Sequence, residues 1–258
     1  ETPYNRVTRD WVTKTSKGQR NTIGFGSQYD LQAVGSVVFL PATFTNKAVG
    51  LGDDLGSTYR RVIGGRDMVT PVAMKNFLYI SGMSYGALSE NAIKALNLGA
   101  AKAEIFHNSG EGGVSHAHLQ GGGVIFQVGT AKYSIRDDDG NMVEELLEKV
   151  ASNEQVKLLE IKLAQGAKPG KGGILPGAKV PELIASTRGI PQGQDSLSPN
   201  RHPEIQSIDD LLNMIHRVRS VTGKPVGIKA VIGQSEWLDD MCLHIQQRGM
   251  EYAPDFFT

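Results

Sequence analysis

Phe77-Leu-Tyr-Ile-Ser-Gly-Met-Ser-Tyr-Gly-Ala-Leu-Ser89 decides the fold. Four apolar or aromatic residues, Phe77 to Ile80, read as a short buried strand, and a turn of small residues and two glycines follows. Ser89 then stands as a helix N-cap, ahead of Ala92, Ala95, Leu96, Gly99, Ala100 and Ala103 at helical spacing. Small residues on that face let a helix lie close on a sheet. Strand, loop and helix make one βα unit, and a chain that repeats the unit makes a parallel sheet.

The pattern does repeat. Further strands are expected at Glu104 to His107, Val124 to Gln127, Leu159 to Leu163, Val226 to Ile232 and Asp255 to Thr258, six with the first. Ser207-Ile-Asp-Asp210 is a capping-box variant opening a helix with Leu211, Leu212, Ile215 and Val218 on one face, and Gly223 and Pro225 stop it. Ser235 opens another helix, which ends at Gly249. Six strands in βα order fit a doubly wound sheet or most of a (β/α)8 barrel. The barrel is favoured because polar and glycine-rich residues follow the strand C-termini in at least four units, where barrel active sites are built; a Rossmann sheet concentrates glycine in its first turn. The expected fold class is therefore α/β, of (β/α)8 TIM-barrel type. About six of eight units occupy residues 77–258, behind an irregular segment, residues 1–76, in which Ser36 to Leu40 is one short strand. With no initiator Met, and an apolar Asp255-Phe-Phe-Thr258 reading as a strand just begun, the chain is taken as a fragment of a longer polypeptide.

Composition narrows the function. The 258 residues carry 27 basic and 27 acidic side chains, a formal net charge of zero, so neither nucleic acid nor a membrane surface is an expected partner. No apolar run approaches the roughly 18 residues that span a bilayer. Glycine is the outlier, 31 residues or about 12% against a usual share near 7%, while Pro is only 11. The single cysteine, Cys242, excludes a disulfide framework, a multi-cysteine zinc site and an iron–sulfur cluster held by this segment, and it fits a reducing, cytoplasmic compartment. Cys242 itself is expected to be a buried structural thiol on the apolar side of its helix.

The glycines gather after strands. Strand one leads into Ser81 to Ser89, strand two into Asn108-Ser-Gly-Glu111-Gly-Gly113, strand four into Gln165-Gly-Ala-Lys168-Pro-Gly-Lys-Gly-Gly173, and strand five carries Lys229. Gly166 to Gly172 is not a P-loop, because the spacing is wrong and no Ser or Thr follows the lysine. Backbone that approaches a flat or anionic ligand, with a few aimed Lys, Gln, Asn and Glu side chains, fits a planar redox cofactor on a barrel mouth. The competing reading is of tight βα turns with solvated side chains. His116-Ala-His118, with His107 upstream, reads as solvated rather than metal-binding, and Asp137-Asp-Asp-Gly140 as a turn rather than a calcium loop.

Three motifs carry a resemblance. Met83-Ser-Tyr-Gly-Ala-Leu-Ser89, His107-Asn-Ser-Gly-Glu-Gly-Gly113 and the long Gln165 to Val180 stretch are similar in order and spacing to the FMN-binding synthase domain of glutamate synthase. The likeness runs from about Trp11 to Thr258 and is greater still to the stand-alone FMN-binding glutamate synthase family proteins. It implies a (β/α)8 barrel with FMN as cofactor, where reduced FMN passes a hydride to 2-iminoglutarate formed from 2-oxoglutarate and ammonia. It further implies that Gly82, Met83 and Ser84 lie against the flavin with Asn108 and Gln127 nearby, and that Lys229 meets the flavin as a catalytic cation. Glu111, also a catalytic candidate, Gln165, Lys168 and Arg188 match the family's 2-oxoglutarate positions; for Arg188 alone a solvated helix-end arginine is the blander expectation.

The resemblance also implies what lies elsewhere. The glutaminase module and the iron–sulfur cysteines of the fused enzymes have no counterpart in this segment, so glutamine-derived ammonia and electrons require separate partners. The family's phosphate-binding turn lies beyond the position of Thr258. A homodimer is the default oligomeric expectation. Two alternatives stay open beside the flavoenzyme: a non-catalytic barrel-like module binding a small anion through Lys168 and Arg188, and a fragment inactive by itself.

Overall fold

The computed structural model describes residues 5–19, 61–65, 69–75, 78–165 and 170–258. It divides into two compact units, residues 1–51 and 52–258. The described element of the first is α1 (Arg6–Ser16), whose N-cap Asn5 accepts from the Thr8 N–H at 2.8 Å and whose Asp10 pairs with Lys14 at 2.7 Å. A helix here differs from the irregular segment expected. It buries no residue, so it lacks the apolar stripe by which a helix is read, and a cap with an i,i+4 pair favours it locally. The strand expected at Ser36 to Leu40 lies outside the described residues.

The second unit opens with β1 (Arg61–Ile63) paired antiparallel to β2 (Val72–Met74). A parallel sheet follows, of β3 (Tyr79–Ile80), β4 (Phe106–Asn108), β5 (Val124–Val128), β6 (Val156–Lys162) and, after an antiparallel excursion of β7 (Ile174–Leu175) with β8 (Ser196–Leu197), β9 (Val226–Lys229). The order is β3-β4-β5-β6-β9 and every pairing is parallel. Residues 256–258 extend it, with Ile228 N–H donating to Phe256 O at 3.1 Å and Thr258 N–H to Ile228 O at 2.9 Å. The six expected strands are therefore present, side by side in chain order, without the reversal that marks a doubly wound sheet.

The sheet is curled. Tyr79 Oη on the first of these six strands donates to Thr258 Oγ1 on the last at 3.3 Å, although five strand spacings of about 4.8 Å would separate them by roughly 24 Å in a flat sheet. Two side chains cannot cover that span, so the strands bend round a common interior as in a barrel. The fold is α/β of barrel type.

Alternation along the strands divides the chemistry. Phe126 and Val128, Leu159 and Ile161, Val226 and Ile228 form one buried core with Leu147, Leu211, Leu212, Ile215, Val218, Met241 and Ile245. The latter come from α3 (Glu144–Ala151), α5 (Ile208–Thr222) and α6 (Glu236–Arg248), so this is the outer, helix-covered face. Each such side chain contributes about 1.5–3 kcal/mol by leaving water. The residues between them, Gln127, Glu160, Lys162, Gly227 and Lys229, face inward.

The expected helix signals hold with two adjustments. Ser207 and Asp210 form a capping box and Gly223 closes α5 at φ +62°. Ser89 caps α2 (Glu90–Ala103), but the face that packs is Ile93, Asn97 and Ala100, while Ala95, Gly99 and Ala103 are exposed. Asn97 is buried because its Oδ1 accepts from the Gln120 and Gly122 N–H groups at 2.8 and 3.0 Å. Gly249 follows α6, and Cys242 is exposed rather than buried, since the inward stripe of that helix is Met241 and Ile245. Asp137 to Gly140 is a turn, closed by Gly140 N–H on Asp137 O at 3.1 Å.

Candidate active site

Polar side chains converge at the C-terminal ends of the parallel strands. Asn108 ends β4, Gln127 stands near the end of β5, Lys162 ends β6 and Lys229 ends β9. Lys162 and Lys229 are register partners on adjacent strands. Lys162 Nζ donates to Gln165 Oε1 at 2.9 Å and lies 3.4 Å from Glu111 Oε2, and Gln165 Nε2 donates to the same carboxylate oxygen. Lys229 Nζ has no polar partner among the described residues. Lys162 is thus paired with Glu111, and Lys229 adds a positive charge that no described side chain pairs with directly, with the Glu160 carboxylate buried two residues before Lys162 on the same inward face.

The floor is built by close backbone approach. Gly82 lies directly over the Asn108 and Gln127 amides: a Cβ there would sit 2.7 Å from Asn108 Oδ1 and 3.0 Å from Gln127 Nε2. Gly110 follows at φ +67°, and a Cβ on it would fall 2.6 Å from Ser84 N. Only glycine serves both its left-handed backbone and its contact with the first loop. Asn108 Oδ1 accepts from the Gly110 N–H at 3.0 Å, fixing that turn. Asn108 and Gln127 are buried, Gly82 and Ser84 half-buried, and Met83 is exposed at the rim. Beside Gln165 opens a cavity of about 570 Å³, lined also by Leu163, Ile205, Leu211, Val231 and Trp237.

Arg188 is placed differently from a solvated helix-end arginine. It ends α4 (Glu182–Arg188) only 4% exposed, with Nη1 donating to Ser196 Oγ and Nη2 to Tyr85 O, both at 2.9 Å, and its guanidinium 5.0 Å from the Tyr133 ring centre. Burial pulls its pKa down, while Tyr133 and the Glu111 charge oppose that. It ties together the loops that follow β3, β5 and β6. Lys168 lies outside the described residues. The structure therefore brings Gly82, Met83, Ser84, Asn108 and Gln127 into one floor and Glu111 and Gln165 into one polar cluster, with Lys229 alongside and Arg188 engaged behind the loops.

The histidines are not the solvated group expected. His116 pairs with Glu90 at the surface at 3.0 Å, but His107 and His118 are fully buried with ring centres 5.5 Å apart. Burial lowers the pKa of each to about 4. Among the described residues no three His, Cys, Asp or Glu side chains are grouped to hold a metal ion.

Two functional candidates escaped the sequence reading: Lys162 and Glu160. Both lie inside a strand that reads as apolar, Val156-Lys-Leu-Leu-Glu-Ile-Lys162, and their i,i+2 spacing on the inward face was the available signal.

Fold and site together define a barrel-type α/β protein with a glycine-floored, polar mouth that carries Lys, Glu, Gln and Asn side chains at the strand ends. The model of the conserved region in glutamate synthase matches residues 45–245, and the chain belongs to that family. The glutamate synthase large subunit-like protein YerD of Bacillus subtilis (strain 168) is 40% identical over 200 residues, 77% of this chain and 38% of that protein. The archaeal-type glutamate synthase [NADPH] of Thermotoga maritima is 40% identical over 152 residues, 58% of this chain and 27% of that one. The chain thus spans well under half the length of these relatives. Among solved structures, a mandelate oxidase variant bound to (S)-mandelic acid aligns with a TM-score of 0.43 at 14% identity, covering 83% of this chain and 53% of that one. Among the described residues no helix is long and apolar enough to cross a membrane.

Proposed function

We propose that this chain forms the FMN- and oxo-acid-binding part of a glutamate synthase-type oxidoreductase, which aminates 2-oxoglutarate or a similar 2-oxo acid reductively. The observation that carries the reading is the pairing of Lys162 with Glu111 and Gln165, next to its register partner Lys229, at the same strand ends as a turn where Gly82 leaves no room for a Cβ. Backbone at Gly82 to Ser84 would hold one side of a flat ring, braced from behind by the Asn108 and Gln127 amides that close on Gly82. FMN, when bound, supplies the hydride. Lys229 offers an unshared positive charge to an electron-rich ring edge, and Lys162 and Lys168 offer charge to a dicarboxylate, while Arg188, engaged by Ser196 Oγ and Tyr85 O, braces the loops around it. Glu111, held by Gln165 and Lys162, is the group placed to exchange a proton with the ammonia-derived nitrogen.

Ammonia and electrons come from separate partners in this reading, and the setting is cytoplasmic. The experiment is an absorbance spectrum of the full-length protein after reconstitution with FMN. A flavin band that bleaches on reduction and recovers on adding 2-oxoglutarate with ammonia, with glutamate as product, is the expected result. A protein that takes up no flavin, yet still binds 2-oxoglutarate, would instead support the anion-binding alternative.

A further inference from the structure

Glu160 is a buried carboxylate with only one of its two oxygens partnered. It sits within β6, wholly excluded from solvent, and its hydrogen-bond partners are amides rather than cations. Oε1 accepts from Asn108 Nδ2 at 2.8 Å and from Gln127 Nε2 at 2.6 Å, while Oε2 has no hydrogen-bond partner. A barrel core of this size has no need of a carboxylate for stability, because burying one without a counter-charge costs free energy that an apolar side chain would not.

The geometry shows what the carboxylate does. By accepting from both NH2 groups it fixes which end of each amide faces which way. Asn108 is left with Oδ1 directed at the Gly110 N–H, and that bond sets the turn lying against Met83 and Ser84. Gln127 is left with its NH2 end drawn inward, committed to Glu160, and its carbonyl oxygen uncommitted among the described residues. Replacing the acceptor by an apolar group would remove the reason for either orientation. Because Oε2 is itself buried, Glu160 acts through these amides and not by touching a ligand.

We propose that Glu160 is the positioning residue of the cofactor floor, holding the Asn108 and Gln127 amides in the one orientation that presents an acceptor at Gln127 and keeps the Gly110 turn under Gly82 to Ser84. The assignment rests on the flavin reading above. It predicts a defect in cofactor binding out of proportion to any defect in folding.

The test uses the full-length protein with Glu160→Gln, which keeps shape but brings two donors of its own, and with Glu160→Asp, which keeps charge but withdraws the acceptor by one methylene. FMN affinity is read by quenching of flavin fluorescence, the flavin environment by the position of its absorbance bands, and the fold by melting of the apoprotein. Both variants should bind FMN at least tenfold more weakly with shifted bands; if Glu160→Gln does not fold, Glu160→Asp alone decides. In a Gln127→Met background the Glu160 substitutions should lose the part of this effect that runs through Gln127 and keep the part carried by Asn108. A wild-type protein that takes up no FMN overturns the flavin reading and this assignment together. A wild-type protein that takes it up, beside variants of equal affinity and unchanged bands, or an effect undiminished in the Gln127→Met background, overturns the Glu160 assignment alone.

Discussion

Replacing Arg219 by Met should destabilise the barrel by about 3–5 kcal/mol, the cost of leaving a buried charge without its partner. Arg219 is the cation of a buried pair, its side chain 8% exposed and that of Asp255 1%. Nε and Nη2 donate to Asp255 Oδ2 at 3.2 and 2.9 Å, and Nη1 and Nη2 also donate to Glu251 O and Ala253 O. Asp255 in turn accepts from Val226 N–H at 2.8 Å, so the pair joins α5 to the start of the sixth strand and to β9. The substitution strands a carboxylate and two carbonyls at once. Asp255→Asn keeps an acceptor and should cost less, about 1.5–3 kcal/mol. The double substitution should cost less than the sum, with a coupling of roughly 1–3 kcal/mol. In thermal unfolding followed by circular dichroism, the Arg219→Met change corresponds to a drop of about 10 °C at this chain size. A loss under about 1 kcal/mol, or strict additivity in the double variant, would refute the reasoning, because it would mean the pair is solvated and not buried.

Gly82→Ala should leave the melting temperature within a few degrees but weaken FMN binding at least tenfold in a fluorescence titration, because the added Cβ meets the Asn108 and Gln127 amides without any backbone strain of its own. Lys229→Met and Lys162→Met should separate in steady-state kinetics and flavin titration: the first lowers flavin affinity, the second raises the KM for the oxo acid and leaves flavin affinity unchanged. Because burial holds His107 and His118 near 4 in the folded state, below the ordinary 6.5, the unfolded chain binds more protons between these values. Their contribution is therefore full above pH 6.5 and is lost as pH falls toward 4, by an amount on the order of 3 kcal/mol for each. Urea titrations at pH 7 and pH 5 should show this loss in wild type and a smaller one in His107→Leu; equal losses would defeat it.

The elements readable beforehand were those whose signal is local. Six strands stood out as short apolar runs, five of them followed by glycine and polar residues, and α5 because its capping box and its closing Gly223 are each local signals. The residues Gly82 to Ser84, Asn108 and Gln127 were singled out by the family resemblance, and they converge here because they sit at or near the ends of adjacent strands. Glu160 and Lys162 were not, because the inward direction of a charged residue within an apolar strand is a property of the curled sheet. Arg188 and Asn97 failed differently. Their burial depends on carbonyl and N–H groups donated by segments far along the chain, Tyr85 for one and Gln120 to Gly122 for the other. Cys242 was misassigned by one helical position, as the stripe of α6 runs through Met241.

The loops at the mouth touch one another at positions that tolerate no side chain, Gly110 on Ser84 and Gly172 on Ser198 among them. The partners in each contact come from segments separated by at least two dozen residues. A single added methyl at either glycine would push two loops apart without entering the hydrophobic core beneath them. The ligand-facing loops can therefore be damaged while the barrel's apolar shell stays intact, so loss of the site and loss of the fold are separable by substitution.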